Sequence, residues 1–185
     1  VIDLGVDELK TICGGTATYL DKNGFLATSF QAEQAGLYIM DVRQDMVVSY
    51  APERSIKCTK VVVASVASTM GNYGASLEGF DEVLGQDLEI VPLTDPTGLK
   101  VGDAFAVLVL FKGSPLSDAH LSVIPRGRVL PPFGEPNPYD LMTDMDGIAV
   151  FTFDEANYHL ITLHHYTDES GAMDGKVYTM TKYSA

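Results

Sequence analysis

A chain of 185 residues with 46% hydrophobic and 20% charged residues has globular composition and is long enough to bury one large core or two small ones. Its net charge of −13, with only 12 Lys and Arg and no basic stripe, argues against nucleic acid as a partner. No apolar run approaches the roughly 18 residues of a membrane helix, so no direct membrane insertion is expected. Val1 onward shows no basic, apolar leader of the kind removed on export.

Strand signals dominate in chain order. Thr16 to Leu20 and Phe25 to Phe30 flank Asp21-Lys22-Asn23-Gly24, and an Asn-Gly pair between such runs predicts a hairpin with its turn there. Gly36 to Val42 begins another strand, and Met46 to Tyr50 is expected to pair with it before Ala51-Pro52 ends the run. Residues 56–69 are β-branched at Val61-Val62-Val63 and then rich in Ala and Ser, so helix and strand compete there. Thr69 to Gly79 reads as a loop, and Gln86 to Leu93 returns to strand.

Asp95-Pro96-Thr97-Gly98 is a turn cluster, taken here as a domain boundary. Ala104 to Phe111 is apolar on both alternating faces, which predicts a strand covered on both sides. Gly113-Ser114-Pro115 turns the chain, His120 to Pro125 is a strand, and Pro131 to Pro138 is too stiff and donor-poor for a sheet. Asp144 to Gly147 turns into a strand over Ile148 to Phe153. Asn157 to Tyr166 and Lys176 to Tyr183 complete the series. About ten short strands between Gly/Pro turns predict an all-β protein of two tandem, immunoglobulin-like β-sandwich modules, 1–94 and 95–185.

No enzyme motif is present. Gly74-Ala75-Ser76-Leu77-Glu78 lacks the second glycine of a nucleophile elbow, and there is no His-Glu-x-x-His, phosphate loop or dinucleotide fingerprint. The chain is therefore expected not to be an enzyme, and no catalytic residue is assigned. In EF-hand register, Asp144-Met145-Asp146-Gly147 would put ligand positions on Met142 and Phe153, so that motif fails; a non-EF cation site on Asp140, Asp144 and Asp146 is the alternative to a plain acidic turn. Cys13 and Cys58 fit no zinc spacing; a bridge between them is expected in an oxidising compartment, and two buried free thiols are the alternative.

Three of the four histidines fall in one strand, Tyr158 to His165. Neighbours His164 and His165 must point to opposite faces, and His159 and His165 lie about 20 Å apart at a rise of about 3.3 Å per residue. That strand cannot chelate one metal by itself and needs ligands from elsewhere.

Several of these segments together resemble a known family. Gly85 to Pro96 (with Leu88-Glu89-Ile90-Val91-Pro92), Leu99-Lys100-Val101-Gly102-Asp103, and Val109 to Leu116 match the core pattern of a bacterial periplasmic family described as a nickel/cobalt uptake substrate-specific component. Thr143-Asp144-x-Asp146-Gly147-Ile148, the strand from Tyr158 to His164, and Phe30 with Ala35-Gly36-Leu37-Tyr38 fit the same pattern. The resemblance implies a transthyretin-like C-terminal sandwich, a periplasmic or extracellular location, nickel or cobalt as the bound ion, and a membrane transporter component as partner. It carries over His164 as the strand-end histidine, or His165 if the register shifts by one. Unlike members of that family, this chain has no histidine in Val1 to Gly15.

The expected metal ligands are therefore His164 or His165 with Asp144 and Asp146, since imidazole and carboxylate suit such ions. The strand at Ile148 is expected beside the histidine strand, because consecutive strands are usually neighbours. The competing expectation is a non-catalytic structural or adhesive sandwich module that binds protein or glycan, served by the aromatic residues Phe133 and Tyr139 in the Pro-rich loop.

Overall fold

The computed structural model describes residues 36–65, 78–132 and 135–185 in full, together with the backbone of three short strands at 2–5, 17–19 and 23–25. Among these residues there are strands and turns and no helix. The protein is all-β, and its two main sheets pack face to face.

The larger sheet is built on a long hairpin. Strand β4 (Gly36–Val47) runs antiparallel to β5 (Glu53–Ser65). The short strand β1 (Ile2–Gly5) lies parallel to β4 on its outer edge. On the other side β5 pairs in parallel with β15 (Met180–Ser184), which pairs antiparallel with β12 (His159–Thr167). Beyond β12 come β9 (His120–Pro125) and β10 (Asp140–Met142), giving seven strands. The smaller sheet holds β6 (Leu88–Pro92), β7 (Ala104–Phe111) and β11 (Ile148–Thr152), and β8 (Ser114–Pro115) folds back on β7. Two further hairpins join β2 (Ala17–Tyr19) to β3 (Asn23–Phe25) and β13 (Gly171–Met173) to β14 (Lys176–Tyr178).

The core lies between the two sheets. Ile56, Cys58, Leu121, Leu163 and Tyr183 come from the large sheet and meet Leu88, Phe105, Val107, Val109 and Ala149 from the small one. Alternation explains the choice: each strand sends every second side chain inward. Burying such side chains contributes roughly 1.5–3 kcal/mol each and is the main stabilising term. Strand β7 buries one face fully, at Phe105, Val107 and Val109; the other is exposed at Ala104, half-buried at Ala106 and Leu108 and buried only at Leu110, so the expected cover on both sides is partial.

Several expectations change. The first hairpin forms, but Asn23 and Gly24 lie within β3, opposite Tyr19 and Thr18, rather than at the turn. Residues 20–22, between the two strands, lie outside the described residues. Met46 and Val47 do not begin a partner of Gly36 to Val42; they continue β4, and the partner is β5. Residues 56–65 are strand, while 66–77, including most of the expected loop at Thr69 to Gly79, lie outside the described residues. Lys176 to Tyr183 is two strands in different sheets, β14 and β15. The Asp95–Gly98 turn connects β6 to β7, which pair with each other, and β5 pairs with β15. Both sheets therefore draw strands from both sides of the expected module boundary.

Candidate functional site: a slot in the large sheet

The parallel ladder of β5 with β15 stops at the pair Lys57–Ser184, and Ala185 continues only toward β12, exchanging both backbone hydrogen bonds with Leu163 (3.0 and 3.2 Å). Its two neighbours run on. Strand β5 continues to Ser65 against β4, and β12 continues to His159 against β9. Strands β5 and β12, each paired with β15, are two strand spacings apart, about 9.5 Å. A cavity of about 640 Å3 occupies this gap.

The slot passes through the sheet. Its long walls are the facing edges Thr59–Val62 of β5 and His159–Thr162 of β12. Its floor is the small sheet, where Ile90, Pro92, Phe105 and Val107 line it. Its outer rim at the β15 end carries Lys57, Lys182 and His164. These share one face, because Lys57, Ser184 and His164 are direct cross-strand partners and Lys182 lies two residues before Ser184.

The backbone of both walls is aimed at the gap. Leu163 directs its N–H and C=O to Ala185, so Ile161 and His159, at the same parity, direct theirs into the slot. On β5, the Val48 N–H donates to the Glu53 carbonyl, which fixes the β4–β5 ladder so that odd-numbered residues of β5 bond β4. Lys60 and Val62 therefore face the slot. No strand among the described residues pairs with either edge.

One wall is held by a buried ion pair. Lys60 Nζ donates to Glu89 Oε1 at 2.5 Å, with the two side chains 6% and 1% exposed. Glu89 also accepts from the backbone N–H groups of Leu84, Gly85 and Gln86 at 2.7, 2.9 and 3.2 Å. Gln86, thus positioned on the slot wall, donates to Asp41 of β4. The carboxylate converts a loop of otherwise unpaired donors into a fixed wall.

The expected site residues are placed apart from one another. His164 Nδ1 lies 2.9 Å from Ser184 Oγ on the slot rim; burial, then Lys182 and Lys57, holds its pKa below the ordinary imidazole value. His165 points to the opposite face, where its ring centroid is 4.5 Å from that of Phe111 in the core. Asp144 closes a turn: its Oδ1 accepts from the N–H of Asp146 (2.9 Å) and of Ile148 (2.8 Å). Asp146 is exposed on that turn. The strand at Ile148 is not the neighbour of the histidine strand; β11 pairs with β7 in the small sheet, and β12 lies between β15 and β9. Among the described residues no three His, Cys, Asp or Glu are grouped to hold a metal ion. Cys58 is buried and free, with its thiol pKa raised by burial, and Cys13 lies outside the described residues. So does Phe133 of the Pro-rich loop, while Tyr139 accepts the Val123 N–H through its backbone carbonyl (2.9 Å).

The sequence reading found His164 but missed Lys57, Lys60, Lys182 and the two free edges. The family model for a domain of unknown function (DUF4198) matches residues 11–167. The chain belongs to that family. No curated protein matches the chain, and neither does any solved structure.

Proposed function

We propose that this DUF4198 protein is a non-catalytic binding module whose ligand occupies the slot in the large sheet. The observation that carries this reading is the cavity of about 640 Å3 between Thr59–Val62 of β5 and His159–Thr162 of β12, lined below by Ile90, Pro92, Phe105 and Val107. Concave, mostly apolar sites with a few placed polar groups are where ligands bind. Lys57 and Lys182 put positive charge at one end of a chain whose net charge is −13. The ligand is accordingly elongated and largely apolar, and it carries an anionic group. This reading shares with the sequence expectation of a protein- or glycan-binding module only the non-catalytic role, since that expectation rests on Phe133 and Tyr139 rather than on the slot. The nickel- or cobalt-uptake reading draws no support from the described residues, because His164, His165, Asp144 and Asp146 are not brought together.

Decanoate is a simple probe of this chemistry, titrated by calorimetry. Saturable binding is expected, weakened about tenfold or more by Ile90→Trp, which fills the floor, and by Lys57→Glu with Lys182→Glu, which reverses the rim. Binding that both variants leave unchanged places the site elsewhere and refutes the reading.

A further inference from the structure

We infer that the rim of the slot is a site for a tetrahedral oxyanion of the phosphate class, held by Lys57, Lys182, His164 and Ser184, so that the anionic group of the ligand is a phosphomonoester. This rests on the binding reading above for the rest of the ligand and names the chemistry of its charged end.

The four residues come from three adjacent strands and stand on one face. Lys57 of β5, Ser184 of β15 and His164 of β12 are successive cross-strand partners at one level. Neighbouring strands are about 4.8 Å apart, so Lys57 and His164 flank Ser184 from opposite sides. Lys182 stands on the same face two residues before Ser184, roughly 7 Å along β15. Ser184 is buried, and the three longer side chains reach over it.

The positive charge gathered here lacks a protein counter-charge, which sets these two lysines apart. Arg43, Arg54, Lys60, Lys112 and Arg128 each pair with a carboxylate at 2.5–2.9 Å. Among the described residues no carboxylate pairs with Lys57 or Lys182; Lys182 sits over the Tyr166 ring at 5.5 Å. Their charge reaches His164, whose pKa is held down by burial first and then by Lys182 and Lys57. An anion placed among these groups relieves their mutual repulsion and favours the charged imidazole.

Geometry selects the anion. Lys57 and His164 approach across β15 from its two sides, and Lys182 approaches along it. A carboxylate offers two oxygens in one plane. A tetrahedral oxyanion offers three oxygens to three such directions, and its second negative charge matches the two ammonium groups, which bind phosphate as point charges.

Ser184 couples the histidine to the anion. Its Oγ lies 2.9 Å from His164 Nδ1. In the neutral imidazole Nδ1 can accept the serine proton; in the protonated ring Nδ1–H donates to Oγ, and the hydroxyl proton turns to the anion. Binding therefore takes up a proton at His164. Among the described residues, the charged groups facing this imidazole are Lys57 from β5, Lys182 from β15 and, from β9, His120. His120 stands one residue beyond the pair Leu121–Leu163, with its Nε2 3.3 Å from Asp140 Oδ2. The lysines oppose proton uptake, and a bound dianion offsets them.

The test titrates decyl phosphate, decanoate and inorganic phosphate into the full chain by calorimetry. Decyl phosphate should bind at least tenfold more tightly than decanoate, and inorganic phosphate should compete with it. Lys57→Glu with Lys182→Glu should abolish the preference, whereas Lys100→Glu with Lys176→Glu, the same charge change at exposed lysines away from the rim, should keep it. The His164 ring signals, followed by NMR against pH, should titrate at higher pH with decyl phosphate bound, and Ser184→Ala should reduce that shift. Equal affinity for decyl phosphate and decanoate overturns the phosphate site and leaves the slot reading standing. A preference that survives the rim reversal, or a His164 titration that decyl phosphate does not move, also overturns the inference. Binding of inorganic phosphate, with decyl phosphate unaffected by Ile90→Trp, keeps the rim site and refutes the slot reading. If none of the three binds, both fail.

Discussion

Replacing Glu89 by Ala tests whether the slot wall depends on the buried ion pair. The substitution removes the charged one of the two acceptors of Lys60 Nζ, leaving the Glu82 carbonyl at 2.8 Å, and the acceptor of three backbone N–H groups, in a place where the Glu89 side chain is 1% exposed and that of Lys60 6%. Breaking a buried pair by removing one partner costs about 3–5 kcal/mol, because the other charge stays desolvated. For a chain of this size each kcal/mol lowers the melting temperature by about 2–4 °C, so Glu89→Ala should melt roughly 6–20 °C below the parent. The double replacement Lys60→Met with Glu89→Leu should lose less than the sum of the single variants, since it removes both charges and leaves only the backbone donors unpaired. Urea unfolding followed by circular dichroism, run as a double-mutant cycle, measures the coupling. A Glu89→Ala variant within about 1 kcal/mol of the parent, or a coupling energy near zero, would falsify the argument.

Gly147 has φ +74°, and a Cβ there would lie 3.0 Å from both the Leu116 nitrogen and the Val109 oxygen, so Gly147→Ala should destabilise by about 2–4 kcal/mol, measured by chemical denaturation. His164 titrates below the ordinary imidazole value because burial, Lys182 and Lys57 disfavour its charged form. The unfolded chain therefore binds the proton first as pH falls through about 6.5, and the stability due to neutral His164 is lost from there down to its lower folded value. His164→Gln should flatten that slope in melting temperature against pH; a parent with no slope in this window contradicts the assignment.

Much of the fold was legible because apolar runs end at turn residues that also stop the strands. Ala104 to Phe111 and His120 to Pro125 form strands with the bounds that Asp103, Gly113 and the following Arg126-Gly127 suggest. Strand β4 was harder. Its polar stretch at Arg43 to Asp45 looks like a break, yet it stays in the strand because Arg43 pairs with Asp87 across the sheets and Arg54 with Asp45 along the hairpin. Asp174-Gly175 was a readable hairpin signal, with φ of 52° and 74° in the turn between β13 and β14, and it passed unnoticed beside a longer β-branched run. The opposed directions of His164 and His165 followed from strand geometry alone. The slot did not follow from any local pattern. It lies between β5 and β12, which are held at that distance by pairing with β15, and that is a register between segments far apart in the chain.

The same parallel ladder constrains the order of assembly. It joins Glu53 to Met180, so the hairpin of β4 and β5 can form early from local contacts but must wait with one side open until β15 has been synthesised. Closing so long a loop is slow compared with hairpin formation, and during translation the open side of β5 presents a row of unpaired backbone groups to any extended chain nearby. A nascent chain released before Met180 would have no strand between β5 and β12, and its two sheets would lose the seam that Thr181 and Tyr183 bury between them.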